Sequence, residues 1–287
     1  QALHGFRGTN IPVFADLTAR PAAITLTGGP VSFFTTRFDT SPLLDRLELA
    51  GILPPALPRL GSVGLAAIHI SRHFIAPDLP ILFTGLDFSW GSGYSHSRGA
   101  PWPHMIRTAS TRIQTPESLP SQPGVFPVTG KNDRLLYSNP VMTSYAHLCR
   151  DQFSHDAQCF DLGYDGLDTG CQRISHADAE LLVHRYTRED TVATGKPSSV
   201  SADRIFAFLL TEYEMVKQLR DALVGDIHAE RHELESYINQ CGYLYSHFAD
   251  AHRVDCHDQS FLNRIRVEAE VFLKTIAMQS GVDIPGT

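Results

Sequence analysis

Apolar residues in the first half of the chain come in short runs separated by glycine and proline, the pattern of strands alternating with helices. Residues 11–17 (Ile-Pro-Val-Phe-Ala-Asp-Leu) predict a first strand ending near Asp16 and Thr18. Residues 23–27 and 31–36 predict two more, on either side of the turn Gly28-Gly29-Pro30. Ser41-Pro42 predicts a helix start, with Leu43, Leu44 and Leu47 on one face and Gly51 as a stop. After a proline-rich loop, Gly61-Ser62 opens a second helix whose apolar positions are Leu65, Ile68, Ile70 and Phe74, and Ile81-Leu82-Phe83 follows as a buried strand. Strand, capped helix and apolar strand in this order form a βαβ unit, which needs parallel strands and a right-handed crossover. Residues 1–190 therefore read as an α/β domain with a Rossmann-like, mostly parallel sheet.

Between residues 99 and 140 the periodicity fails, and prolines mixed with serine and threonine predict a long loop or lid. Order resumes with a helix over 141–153, a strand near 158–162, a glycine-bearing turn region over 161–170, and a helix capped by Ser175 with Asp178 favourable to its dipole. Beyond a polar linker at 191–199, three amphipathic helices are predicted, over 201–223, 226–248 and 257–279. Phe206, Leu209, Leu210, Tyr213 and Val216 recur at helical spacing in the first, and Phe261, Ile265, Val267, Val271 and Phe272 lie on the last. Residues 200–287 thus predict a C-terminal helical bundle packed against, or appended to, the α/β part.

With 287 residues, 43% of them hydrophobic, the chain can bury a sizeable core. A net charge of −7 without a basic stripe argues against nucleic-acid binding, while a local basic pocket for a nucleotide stays compatible. Five cysteines (Cys149, Cys159, Cys171, Cys241, Cys256) without a C-x-x-C pair read as reduced thiols of a cytoplasmic protein. No apolar run approaches the ~20 residues of a membrane helix, so no membrane span is expected. The chain opens at Gln1 with neither an initiator methionine nor a signal-peptide pattern, which fits a piece of a longer protein.

The most informative chemistry follows the strand at 81–83. Gly85 permits a tight turn, Asp87 supplies a carboxylate, and a loop with Ser89, Ser92, Ser95, His96 and Arg98 comes next. In open α/β sheets ligands bind beyond the carboxyl ends of the strands. There Asp87 can accept hydrogen bonds from a sugar hydroxyl, hold a metal or act as a base; a plain turn is the competing reading. His96 titrates near neutrality and can move a proton or contact phosphate. Gly61-Ser62 and Thr143-Ser144 sit at helix starts, where free amides can receive a phosphate, although each also reads as an ordinary cap. His69 with His73, and His228 with His232, have the i, i+4 spacing of zinc-binding helices but lack the adjacent glutamate, so no metal site is assigned. There is no G-x-S-x-G elbow, Walker loop or complete G-x-G-x-x-G fingerprint.

The segment Pro80-Ile-Leu-Phe-Thr-Gly-Leu-Asp-Phe-Ser89, with Ser95-His-Ser-Arg-Gly99, resembles the "P-I-I-hydrophobic-x-G-x-D-L-x-(Y/F)…H-A-x-G" segment of the motility accessory factor proteins. These are bacterial proteins required for flagellin glycosylation, with a core also described as 6-hydroxymethylpterin diphosphokinase MptE-like. Gly61-Ser-Val63, Val141-Met-Thr-Ser-Tyr145 and the turn over 161–170 resemble further parts of that core, and the likeness spans roughly residues 55–175. The resemblance implies a Rossmann-like core related to glycosyltransferases that use CMP-activated nonulosonic sugars, acting on serine or threonine hydroxyls of flagellin. It implies that Gly85, Asp87 and His96 line the nucleotide-sugar cleft, with Asp87 or His96 as base. Gly61 and Ser62 would offer amides to phosphate, with Ser89, Thr143 and Ser144 close by. The family's early glycine-rich "G-x-G-P-S-L" turn is absent, consistent with a chain whose first portion is missing. Two alternatives stand beside this reading. One is a pterin diphosphokinase using ATP and magnesium held by Asp87 and Asp16; the other is a non-catalytic member whose helical part docks a flagellar accessory protein.

Overall fold

In the computed structural model, which describes residues 4–38, 40–91, 108, 110–112, 123–186, 200–224 and 231–280, the chain divides into two compact units. One comprises Gln1–Thr36 with Ala56–Lys196, the other Arg37–Pro55 with Pro197–Thr287. The strands are β1 (Val13–Asp16), β2 (Val31–Thr36), β3 (Ala56–Leu57), β4 (Ile81–Phe83), β5 (Phe126–Thr129), β6 (Leu135–Ser138), β7 (Cys159–Asp161) and β8 (Gln172–Arg173). The helices are α1 (Pro21–Ile24), α2 (Pro42–Leu49), α3 (Val63–Phe74), α4 (Pro140–Phe153), α5 (His176–Arg185), α6 (Ala202–Val224), α7 (Arg231–Gln240) and α8 (Gln259–Ser280).

The first unit is mixed α/β with small parallel sheets. Strands β1, β2 and β3 form one, in that order, and β4, β7 and β8 form another, with Ile81 opposite Cys159 and Phe83 opposite Asp161. Its core joins Leu65 and Ile68 of α3, Ile81 and Phe83 of β4, and Ala146, Cys149 and Phe153 of α4. Helix α4 begins at Pro140, whose fixed φ suits a first helical position, and Asn139 caps it by accepting from the Met142 amide at 2.9 Å. The strand expected over 23–27 is instead the single turn α1. Pro21 starts it, and the Ile24 and Thr25 amides bond back to the carbonyls of Arg20 and Pro21, so local geometry overrides the β-branched residues. The loop expected over 99–140 contains the antiparallel hairpin β5–β6, Phe126 opposite Ser138 and Thr129 opposite Leu135.

All five cysteines are free thiols, and burial pushes Cys159 up to about 12 and Cys241 to about 11. Cys256 is only partly buried. On brief iodoacetamide treatment of the native protein at mildly alkaline pH, Cys256 is expected to be alkylated first. Mass-spectrometric labelling of Cys159 at the same rate would contradict the closed core.

The second unit is helical. Residues 37–55 leave the chain between β2 and β3 and group with the C-terminal helices. Its core is built from Val216 and Leu219 of α6, Leu234 and Ile238 of α7, and Phe261, Ile265, Ala269 and Leu273 of α8. Arg46 of α2 grips the buried Glu212 of α6 with two bonds, Nε to Oε1 at 2.5 Å and Nη2 to Oε2 at 2.8 Å. The Tyr243 hydroxyl donates to the same Oε2 at 3.1 Å. The helix expected over 226–248 therefore stops at Gln240. Cys241 leaves helical geometry, a short 3-10 turn (Gly242–Leu244) follows, and Tyr243 is committed to Glu212. Val267 and Val271 of α8 are exposed, because they lie ~200° and ~240° around the helix from Ile265. Among the described residues no helix is long and apolar enough to cross a membrane.

Candidate functional site

Strand β4 delivers its chain into a sharply turned segment at the carboxyl end of the sheet. Gly85 has φ of +80° and Phe88 has φ of +50°, a left-handed conformation that is costly for a bulky side chain. The surroundings enforce it. Phe88 is buried, and its carbonyl accepts the Ser138 hydroxyl of β6 at 2.8 Å. The Asp87 carbonyl accepts the Leu167 amide at 2.8 Å and the Ser89 hydroxyl at 3.0 Å. Trp90 then pairs with Tyr137 through reciprocal backbone bonds of 2.9 and 2.8 Å.

Gly166, with φ of +107°, is pressed against this turn, and a β-carbon there would lie 2.6 Å from Asp87 Cα and 2.7 Å from its carbonyl oxygen. Neither the conformation nor the space admits a side chain. Gly166→Ala is expected to destabilise the first unit by about 1–3 kcal/mol. Denaturant unfolding measures this, and a wild-type midpoint would contradict the contact.

The adjacent strand β7 ends on Asp161, opposite Phe83. Its buried carboxylate accepts Lys131 Nζ at 2.5 Å, the Thr169 hydroxyl at 2.8 Å and the Gly163 amide at 2.7 Å. Lys131 comes from the β5–β6 turn, is itself almost fully buried, and bonds Gly166 through its backbone amide at 2.9 Å. Asp165 is tied to Arg134 at 2.7 Å. The Asp87 carboxylate is half-buried and receives no hydrogen bond from the described residues. Burial pushes its pKa up, Lys131 pulls it down, Asp161 and Asp165 push it up, and the net direction is upward. A carboxylate so placed is suited to taking a proton from a bound hydroxyl.

The predicted residues converge only in part. A β-carbon on Gly61 would lie 2.4 Å from the Tyr145 ring of α4, and one on Gly64 would lie 2.2 Å from the Leu86 side chain. The start of α3, the first turns of α4 and the turn before Asp87 are thus neighbours. Ser62 precedes α3 in an extended conformation and makes no capping bond, so among the described residues the first-turn amides have no side-chain partner. Thr143 and Ser144 are not the tip of their helix, which Asn139 caps. Thr143 gives its hydroxyl to the Asn139 carbonyl at 2.9 Å, and Ser144 is exposed. Ser89 is committed to the Asp87 carbonyl. His96, with Ser92, Ser95 and Arg98, lies outside the described residues.

Asp16 accepts the Thr18 amide at 2.9 Å and its hydroxyl at 2.6 Å. Burial raises its pKa, but the bonds from Thr18 and Thr36 outweigh it and hold the carboxyl below the usual range. The rings of His69 and His73 lie 4.8 Å apart, and His73 Nδ1 contacts the His69 carbonyl at 2.8 Å. Among the described residues no group of three or more His, Cys, Asp or Glu side chains is placed to hold a metal ion. Lys131 and Asp161 are the members the sequence did not single out. Asp161 was findable as the last residue of an apolar strand.

No family model matches the chain, and no solved structure matches it. The chain is similar to a protein of Treponema pallidum (strain Nichols) described as uncharacterized, with 29% identity over 296 aligned residues, 96% of this chain and 52% of that protein. It therefore spans about half the length of the curated relative it matches.

Proposed function

We propose that the chain is a glycosyltransferase of the motility accessory factor type, with a Rossmann-like core, working in the cytoplasm. Its donor is a CMP-activated nonulosonic sugar and its acceptor a serine or threonine hydroxyl of flagellin. The observation that carries this reading is Asp87, a half-buried carboxylate without a hydrogen-bond partner among the described residues, in a strained turn at the carboxyl end of parallel strands. The resemblance of the segment from Pro80 to Gly99 supplies the substrate class.

In this reading the CMP phosphate lies at the start of α3, where Gly61 and Ser62 offer amides and the helix dipole favours negative charge. Asp87 accepts the proton of the acceptor hydroxyl as that oxygen bonds the sugar's anomeric carbon and the bond to CMP breaks. Gly85 gives the turn its shape, and His96 is the second candidate base. The longest natural form of the chain, incubated with a CMP-nonulosonate and flagellin, is expected to release CMP and add the sugar's mass to flagellin serine or threonine. Failure to bind any cytidine nucleotide would contradict the reading. Magnesium-dependent AMP formation from ATP would replace it with diphosphokinase chemistry.

A further inference from the structure

The turn over 161–170 brings three charged side chains to one place. The position a β-carbon on Gly163 would occupy lies 2.8 Å from Asp161 Oδ1, 3.1 Å from Lys131 Nζ and 3.3 Å from Asp87 Oδ1. The absence of a side chain at Gly163 lets two carboxylates and an ammonium approach one another there. Asp161 accepts from Lys131, Thr169 and Gly163, so its place is fixed by the fold. Lys131 is held at 2.5 Å from Asp161 and is as buried as its partner, both side chains being 2% exposed. An ammonium has three donors, and the bond to Asp161 uses one.

We propose that Lys131 is the positioning residue of this site, its buried ammonium favouring the ionised form of the Asp87 carboxylate across the space left open at Gly163. The proposal rests on the reading of Asp87 as the base. The charged groups facing Asp87 are Lys131 from the β5–β6 turn, Asp161 from the end of β7, and Asp165 from the following loop. Asp165 is offset by Arg134, and Asp161 repels, so Lys131 is the attraction that keeps Asp87 available to take a proton. In a partly desolvated site its charge acts with little screening.

The test is a carbon-13 NMR titration of the Asp87 carboxyl in the intact chain. Lys131→Met is expected to move its midpoint upward by about one pH unit or more, and Lys131→Arg to keep it near wild type. Asp161→Asn is expected to move it downward, because a repelling charge is removed and the ammonium loses its nearer partner. Should Lys131→Met leave Asp161 too costly to fold, the neutral pair Lys131→Met/Asp161→Asn must titrate above Asp161→Asn alone. A merely structural lysine would lower the unfolding temperature without moving these midpoints, and unmoved midpoints in the folded variants would overturn the proposal. Moved midpoints in a protein that binds no cytidine nucleotide would overturn only the glycosyltransferase reading.

Discussion

Asp87→Asn is expected to cut sugar transfer by about 10²–10⁴-fold, while raising the temperature at which the first unit unfolds at neutral pH. The first effect follows from removing the proposed base. The second follows from linkage. Burial and two neighbouring aspartates raise the proton affinity of Asp87 in the folded chain against the pull of Lys131. The folded state therefore keeps this proton to higher pH than the unfolded chain does. Stability falls as pH rises from the ordinary carboxylate range through the folded value, and above it the ionised group is a constant cost. Asparagine keeps the shape and removes the charge. Thermal unfolding of both proteins from about pH 4 to about pH 8 should show a gap that opens with rising pH. A gap of opposite sign would mean that the folded protein favours the ionised form, and Asp87 would then read as a structural carboxylate. Loss of activity with a gain in stability is the signature of a residue kept for chemistry.

The largest stability effect is expected in the helical unit. Arg46→Ala should destabilise it by about 3–5 kcal/mol, because Glu212 would be left buried without its cation. Glu212 is 1% exposed, and its remaining partner, the Tyr243 hydroxyl, cannot offset a full charge. The bond to Glu212 holds the Arg46 pKa above its ordinary value despite partial burial, the same attraction seen from the other side. Far-UV circular dichroism in denaturant measures the loss. Arg46→Met/Glu212→Leu should recover much of it, since a buried pair exchanged whole for apolar side chains is often neutral. A single-variant loss below about 1 kcal/mol, the size of an exposed pair, would contradict the burial described.

What was legible in the sequence had local causes. The run Ile81-Leu82-Phe83 is bounded by Pro80 and Gly85, so both the strand and the carboxylate beyond it announce themselves. Helix α5 follows from Ser175 and Asp178, whose reciprocal bonds are encoded within four residues. The hairpin β5–β6 was hidden because Phe126-Pro127-Val128-Thr129 is mostly exposed and carries a proline, so neither alternation nor a buried run marks it. Lys131 and Asp161 meet across 30 positions, a separation that no local period reports. The same holds for residues 37–55. The α2 pattern fits any apolar surface, and what ties it to the helical unit is Arg46 reaching Glu212 across 166 positions.

The central claim is that the carboxyl ends of β4 and β7, beside the start of α3, form a nucleotide pocket with Asp87 in it. Titrating CMP into the isotopically labelled protein, in its longest natural form, tests this most directly. The account predicts saturable shifts at the amides of Ser62, Val63, Asp87 and Phe88, together with the Asp87 carboxyl. Saturating CMP that leaves those signals in place would contradict it.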